Sequence, residues 1–156
     1  YAMSNAALVH TVDSSATATA TADENVYLNF GSDPRHRSFA TDAFSFLSSM
    51  ESEYDLIILD PPAFAKHHNA LNQALQGYRR LNALALKKIK PGGLLFTFSC
   101  SQVVSRDDFR RSVFVAAANT GRNVRILHQT GQPPDHPVSI YHPESEYLKG
   151  LMLYVE

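Results

Sequence analysis

The side chains of Asp60 and Cys100 are the two in this sequence that best suit chemistry on a heterocyclic ring. Asp60 follows the apolar run 56–59 and precedes two prolines. Cys100 is the only cysteine and comes at the end of a second apolar run. A thiolate is a strong nucleophile, and a carboxyl group beside it can bind a ring nitrogen, which is what activation of a pyrimidine requires. A lone cysteine in an apolar strand is also commonly a small buried residue, and that alternative stays open.

Two further acids follow short segments near the start of the chain. Asp13 precedes Ser14, and Asp42 precedes an amphipathic stretch. An acid or a hydroxyl before a helix is an N-cap signal. An acid at the carboxyl end of a strand in a nucleotide-binding fold also accepts hydrogen bonds from a ribose diol, and a second acid nearby could accept one from the amine of adenine. Both interpretations stay open for both residues.

The elements that must position these groups alternate along the chain. Apolar periodicity predicts a strand followed by a helix, four times over, and then two consecutive strands. The predicted strands cover 8–12, 38–41, 56–59, 94–101, 124–127 and 148–155. The predicted helices cover 16–30, 43–50, 69–90 and 105–121, the last with a capping box. This order is typical of an α/β fold with a parallel sheet and helices on both faces, closed here by an antiparallel hairpin.

The predicted sheet brings the four candidate groups to one place. The run 56–59 is uniformly apolar, so we expect that strand to be buried on both faces. Parallel strands present their carboxyl ends at the same edge of a sheet, where ligands bind in open α/β folds. We therefore expect Asp13, Asp42, Asp60 and Cys100 to face one crevice.

Composition narrows the class of protein. The chain has 156 residues, of which 44% are hydrophobic, and a net charge of −1, which suits one domain spanning 1–156 and argues against a basic footprint over the whole surface. A single cysteine excludes an internal disulfide, and no run approaches the roughly 20 apolar residues of a membrane span. We expect a cytoplasmic protein that does not bind membranes. His67 and His68 are adjacent without a third ligand at helical spacing, so no metal site is expected.

Several motifs together carry a resemblance to a known family. They are DPPAF at 60–64, GYRRLNALAL at 77–86, TFSCS at 97–101, DHPV at 135–138 and YLKG at 147–150. With them the chain, from VDSS onwards, resembles the catalytic domain of class I S-adenosylmethionine-dependent methyltransferases. More closely, it resembles the bacterial large-subunit ribosomal RNA cytosine-5 methyltransferases that carry an N-terminal PUA domain. The resemblance implies a Rossmann-like sheet, S-adenosylmethionine as cofactor and ribosomal RNA as substrate.

The resemblance also implies roles for individual residues. Cys100 would add to carbon 6 of a flipped cytosine while Asp60 holds the nitrogen edge of the base, and a base would later remove the proton from carbon 5. The cofactor would be bound by Asp13, Ser14, Asp42, Asp60 and Pro61. The RNA or the base would be contacted by Pro62, Phe64, Lys66, Tyr78, Arg79 and His136. Ala63 stands where another group of RNA cytosine-5 methyltransferases has a second cysteine, in agreement with the PUA-linked group.

The sequence departs from the family pattern at its start. The chain opens with Tyr1 and contains no G-x-G-x-x-G, and the first strand, the Gly-rich loop and the PUA domain of the family have no counterpart in it. We therefore expect a truncated catalytic domain that either pairs with a second copy as a homodimer or binds the cofactor weakly. Two alternatives stay open: a methyltransferase acting on an exocyclic amine or ring nitrogen, with Cys100 structural, and a fragment that is inactive by itself.

Overall fold

The computed structural model describes residues 2–51, 53–65 and 67–156. The chain forms two compact units, residues 1–50 and residues 51–156. The helices are α1 (Ala2–Asn5), α2 (Ala16–Phe30), α3 (Ala43–Ser49), α4 (Leu71–Leu86) and α5 (Arg106–Thr120). The strands are β1 (Val9–Asp13), β2 (His36–Ala40), β3 (Tyr54–Leu59), β4 (Ile89–Ser99), β5 (Val124–Thr130) and β6 (Lys149–Val155). Single 3₁₀ turns cover His68–Ala70 and Pro143–Ser145.

The first unit is built on a parallel pair of strands. β1 pairs with β2 in a register that runs from Val9 opposite His36 to Asp13 opposite Ala40. α2 packs on both strands and α3 packs on β1. Because the two strands are parallel, their carboxyl ends lie at the same edge, and this edge carries Asp13 and, two residues after β2, Asp42.

The second unit is a four-stranded sheet in the order β3-β4-β6-β5. β3 and β4 are parallel, whereas β6 is antiparallel to both β4 and β5. α4 packs on β4, α5 packs on β6, and the two helices pack on each other. The core between helices and sheet is fully buried and includes Leu86, Leu95, Phe109 and Leu153. The sheet therefore holds the carboxyl ends of β3 and β4 side by side on a rigid base.

The predicted alternation of strands and helices is confirmed, as is the antiparallel hairpin of β5 and β6. The predicted helix 69–90 is too long, because α4 ends at Leu86 and β4 begins at Ile89, with Pro91 and both following glycines inside the strand. Ile89 pairs with Tyr54, and Gly92 at φ 83° allows an irregularity in the ladder that few other residues permit.

The prediction that the strand 56–59 is buried on both faces is wrong for the part of the chain that the structure describes. Leu59 is buried, whereas Leu56 is 45% exposed and Ile58 is 62% exposed. The reason is that side chains alternate between the two faces of a strand, and the helices of this unit pack on β4 and β6. Within the described ranges, no helix combines the length and apolar composition that a bilayer span needs.

Candidate active site

Asp13 and Asp42 each use one carboxylate oxygen in their own turn. Oδ1 of Asp13 accepts the backbone N–H of Ser15 at 2.7 Å, directly after β1. Oδ1 of Asp42 accepts the N–H of Ser45 at 3.0 Å, so Asp42 is the N-cap of α3. Ser15, and not an acid, caps α2 through the N–H of Ala18. Both carboxylates are exposed, and no donor to either Oδ2 oxygen is found among the residues that the structure describes.

Asp60 and Cys100 leave the second sheet at the same edge. β3 ends at Leu59, which lies opposite Thr97 of β4, and β4 ends at Ser99. Asp60 is exposed beyond the end of β3, and Cys100 is half-buried beyond the end of β4. The two groups that the sequence suggested for chemistry on a ring therefore lie on neighbouring parallel strands.

The thiol of Cys100 lies against the loop that begins at Asp60. Its Sγ is 3.9 Å from the carbonyl oxygen of Pro61, to which it can act as a weak donor. The next residue of the loop, Pro62, is exposed. The loop of 60–62 and the cysteine thus form one surface at the carboxyl edge.

Two buried serines hold the backbone on either side of Cys100. Ser99 donates its hydroxyl to the phenolic oxygen of Tyr78 at 2.9 Å. Ser101 donates its hydroxyl to the carbonyl of Ala65 at 2.7 Å. Both serines are at most 1% exposed, so these bonds are made without competition from water. The cysteine is therefore tied to α4 on one side and to the 60–65 segment on the other.

Aromatic packing fixes the next part of the 60–65 segment. The ring of Phe64 lies 4.6 Å from that of Tyr78, which is fully buried and meets Phe109 edge-on at 5.3 Å. Burial, with smaller contributions from the charges of Cys100 and Asp60, raises the pKa of Tyr78, although its hydrogen bonds act in the opposite direction. Gly77 makes room for this packing, since a Cβ there would lie 2.9 Å from the Phe64 ring.

Comparisons with known proteins show which proteins this chain is similar to in sequence and fold. The chain is 40% identical over 158 residues to a ribosomal RNA large subunit methyltransferase I of Shewanella denitrificans, matching 99% of this chain and 40% of that protein. SMU.776, a protein described as a methyltransferase and complexed with SAH, matches 98% of this chain and 40% of its own at a TM-score of 0.82 and 21% identity. A structure from Streptococcus mutans described as a SAM-dependent methyltransferase matches the same shares at a TM-score of 0.82 and 20% identity. No family model matches the chain.

The chain has a Rossmann-like methyltransferase fold. It spans about 40% of the length of the curated relatives it matches. In open α/β sheets of this kind, ligands bind beyond the carboxyl ends of the strands. Asp13 and Asp42 lie at that edge in the first unit, and Asp60 and Cys100 lie at that edge in the second.

The other predicted site residues lie elsewhere on this methyltransferase fold. Ser14 is exposed, in the turn after β1. Arg79 lies on α4, where its buried Nε has no hydrogen-bond partner among the described residues. His136 is exposed in the loop between β5 and β6, with Nδ1 3.3 Å from Asp135. Lys66 lies outside the described residues.

Tyr78 has a different position from the one expected of an RNA contact. Its side chain is 0% exposed, and its hydroxyl is bonded to Ser99. This placement supports the strand that carries Cys100. Direct contact with RNA stays a prediction that the burial does not favour.

Sequence reasoning missed Lys149, the first residue of β6. It is only 7% exposed, and its Nζ donates to the carbonyl of Ser101. The one available signal was a lysine at the head of an otherwise apolar strand, Lys149–Val155. A lysine at a strand end is usually solvated, so its burial could not be read from the sequence.

Proposed function

We propose that this chain is the catalytic part of an enzyme that transfers a methyl group from S-adenosylmethionine to large-subunit ribosomal RNA. A relative that is 40% identical carries the name of such a methyltransferase, and a structure with the same fold was obtained with SAH. The chain matches about 40% of the length of each, so the activity of the whole relative comes to this chain as a proposal.

The residues of the first unit fit the nucleoside end of this cofactor. Asp13 and Asp42 are exposed acceptors at the carboxyl edge of β1 and β2, each with an Oδ2 that accepts from no other described residue. Asp13, with Ser14 beside it, would accept from the ribose hydroxyls, and Asp42 would accept from the adenine amine. The cofactor would supply the methyl group. Asp60 and Pro61, in the second unit, stay predicted cofactor contacts.

We further propose that the methyl acceptor is carbon 5 of a cytosine. The observation that carries this proposal is the position of the Cys100 thiol, 3.9 Å from the Pro61 carbonyl in the loop that follows Asp60. The thiolate would form a bond to carbon 6, and the Asp60 carboxyl group would bind the nitrogen edge, so that electron density rises at carbon 5. After methylation, a base would take the carbon-5 proton, which restores the ring double bond and expels the thiolate.

The remaining predicted contacts would surround the base and its RNA. Pro62 is exposed in the loop 60–62, and Phe64 would offer one side of its ring to a flipped base. Lys66, Arg79 and His136 are proposed to contact the RNA backbone or the pocket. Tyr78 is proposed to support the site from a buried position, through its hydrogen bond with Ser99.

Substitution of Cys100 tests this proposal. We expect the wild-type chain to methylate large-subunit ribosomal RNA, with the product identified as 5-methylcytosine by nucleoside mass spectrometry, and Cys100→Ala to abolish it. Ser112→Ala, at a buried residue outside the site, is the control. Methylation that persists in Cys100→Ala would favour the amine or ring-nitrogen alternative. A wild-type chain that folds but does not methylate RNA would favour the alternative that the chain is a fragment that is inactive by itself.

We also propose that two copies of the chain associate as a homodimer. β3 pairs only with β4 among the described strands, so one edge of this strand is unpaired. On the same strand, Leu56 and Ile58 are exposed apolar side chains. An exposed, apolar edge strand is a ready template for pairing with another chain.

A further inference from the structure

Lys149 is a buried lysine at the start of β6. Its exposed fraction is 7%, and it lies opposite Ser99 in the antiparallel pairing of β6 with β4. Lysine is rarely buried unless it is paired, because removal of its charge from water is costly. A buried lysine at this position needs a reason beyond the packing of the sheet.

The hydrogen bond of Lys149 reaches the residue that follows Cys100. Its Nζ donates to the carbonyl oxygen of Ser101, which also accepts the backbone N–H of Val104 at 3.3 Å. The hydroxyl of the same serine is bonded to Ala65. Lys149 therefore fixes the turn in which the chain leaves β4, immediately after Cys100.

The ammonium group of Lys149 also interacts with charged groups near this turn. Burial is the largest cause that lowers the pKa of Lys149, and the positive charge of Arg106 lowers it further. The negative charges of Cys100 and Glu146 act in the opposite direction and favour the ammonium form.

We propose that Lys149 is a positioning residue for Cys100, which holds the Ser101 carbonyl and presents a buried positive charge to the end of β4 where the thiol lies. This inference rests on the proposed function, in which Cys100 is the nucleophile. A role in folding alone would require no charge here, since a neutral side-chain amide could also donate to the Ser101 carbonyl.

Alkylation of Cys100 measures this charge without any need for methylation. Cys100 is the only cysteine, so all thiol alkylation of the folded chain reports on it. In Lys149→Met we expect the ratio of the alkylation rate with anionic iodoacetate to the rate with neutral iodoacetamide to fall about fivefold. The reason is that one positive charge near the thiol is lost. Lys90→Met is the matched control, because Lys90 is a half-exposed lysine at the other end of the neighbouring strand, paired with Asp55 at 3.0 Å.

Two further variants separate charge from packing. Lys149→Arg keeps the charge and a donor, and we expect it to retain most of the wild-type ratio of the iodoacetate rate to the iodoacetamide rate. Lys149→Gln keeps a donor without the charge, and we expect it to lower this ratio even if Lys149→Met does not fold. In the methylation assay, Lys149→Met should lower kcat by about tenfold, the worth of one hydrogen bond from a charged donor, and leave KM for RNA unchanged.

The outcomes distinguish this inference from the proposed function. Wild-type alkylation rates in a folded Lys149→Met or Lys149→Gln, with methylation that still requires Cys100, would overturn the role of Lys149 alone. Methylation that persists in Cys100→Ala would overturn the proposed function, and with it the role of Lys149. A fall in relative iodoacetate rate in both uncharged variants, with a wild-type rate in Lys90→Met, supports the inference.

Discussion

At the scale of residues, the candidate site depends on the neighbours of Cys100 as much as on the cysteine. Buried hydroxyl groups are costly unless they are hydrogen-bonded, and here both flanking serines are satisfied by fixed partners. Tyr78 connects this support to the aromatic cluster, because it binds Ser99 and packs on Phe64 and Phe109. A change at Tyr78 should therefore affect the site although the residue is fully buried.

The raised pKa of Tyr78 gives a prediction at high pH. Above pH 10, near the ordinary pKa of tyrosine, the unfolded chain releases this proton while the folded chain holds it. The free energy of unfolding should therefore fall with rising pH by up to about 1.4 kcal/mol per unit from this group. Tyr78→Phe should cost about 1 kcal/mol at pH 7, from the lost bond to Ser99, and remove this part of the pH dependence.

Urea unfolding at pH 7 to 11 measures both effects. Tyr141→Phe is the matched control, since Tyr141 is 87% exposed and we expect its substitution to leave the unfolding curves unchanged. A Tyr78→Phe chain whose free energy of unfolding falls above pH 10 as steeply as that of the wild type would contradict the role assigned to burial.

At the scale of elements, the ends of helices near the candidate site were the easiest features to predict. Ser105 and Asp108 form the expected capping box at the start of α5, with the Asp108 N–H donating to the Ser105 hydroxyl at 3.0 Å. Gly121 ends that helix in the left-handed conformation, at φ 67°. These signals are local, because the residues that make the contact lie within a few positions of each other.

Substitutions of Asp42 can separate its role as the N-cap of α3 from its proposed contact with the cofactor. Serine is about as good an N-cap as aspartate, so Asp42→Ser should leave the free energy of unfolding within about 0.5 kcal/mol of the wild type. The same substitution removes the carboxylate, so affinity for SAH measured by calorimetry should fall about tenfold. Asp42→Ala should lose both stability and affinity. Equal affinity in Asp42→Ser and the wild type would assign Asp42 to the cap alone.

The position at which β4 begins could not be predicted from local sequence signals. Lys88, Pro91 and the glycines that follow resemble the end of a helix and a turn in sequence, but the chain enters the sheet at Ile89 because Tyr54 pairs there. Lys149 was missed for a similar reason, since its partner Ser101 is 48 positions away in the chain. Interactions over such separations leave no periodic signal in the sequence.

At the scale of the whole molecule, the order of elements was predictable and the order of strands in the second sheet was not. Alternation of apolar segments identified the α/β class, and the last two strands were expected to form the hairpin seen in β5 and β6. The insertion of β6 between β4 and β5 has no signature in the sequence, because pairing depends on strands far apart in the chain. The predicted crevice shared by all four candidate groups stays a prediction.

The exposed side of β3 gives a prediction about assembly. If the unpaired edge of β3 is the dimer surface, Ile58→Lys should shift the chain from dimer towards monomer in sedimentation velocity, because a buried lysine would be unpaired at the interface. Ile140→Lys is the matched control, since Ile140 is 89% exposed in the loop between β5 and β6. A wild-type chain that is monomeric at all concentrations would contradict the proposed homodimer.

The central claim is that Cys100 bonds covalently to a cytosine of the RNA. The most direct measurement is to incubate the chain with S-adenosylmethionine and RNA that contains 5-fluorocytidine, whose carbon 5 carries no proton to remove, and to map the product by mass spectrometry. We predict a stable adduct between the methylated base and the peptide that contains Cys100, and no adduct in Cys100→Ala. Methylated RNA released without an adduct on Cys100 would contradict the claim.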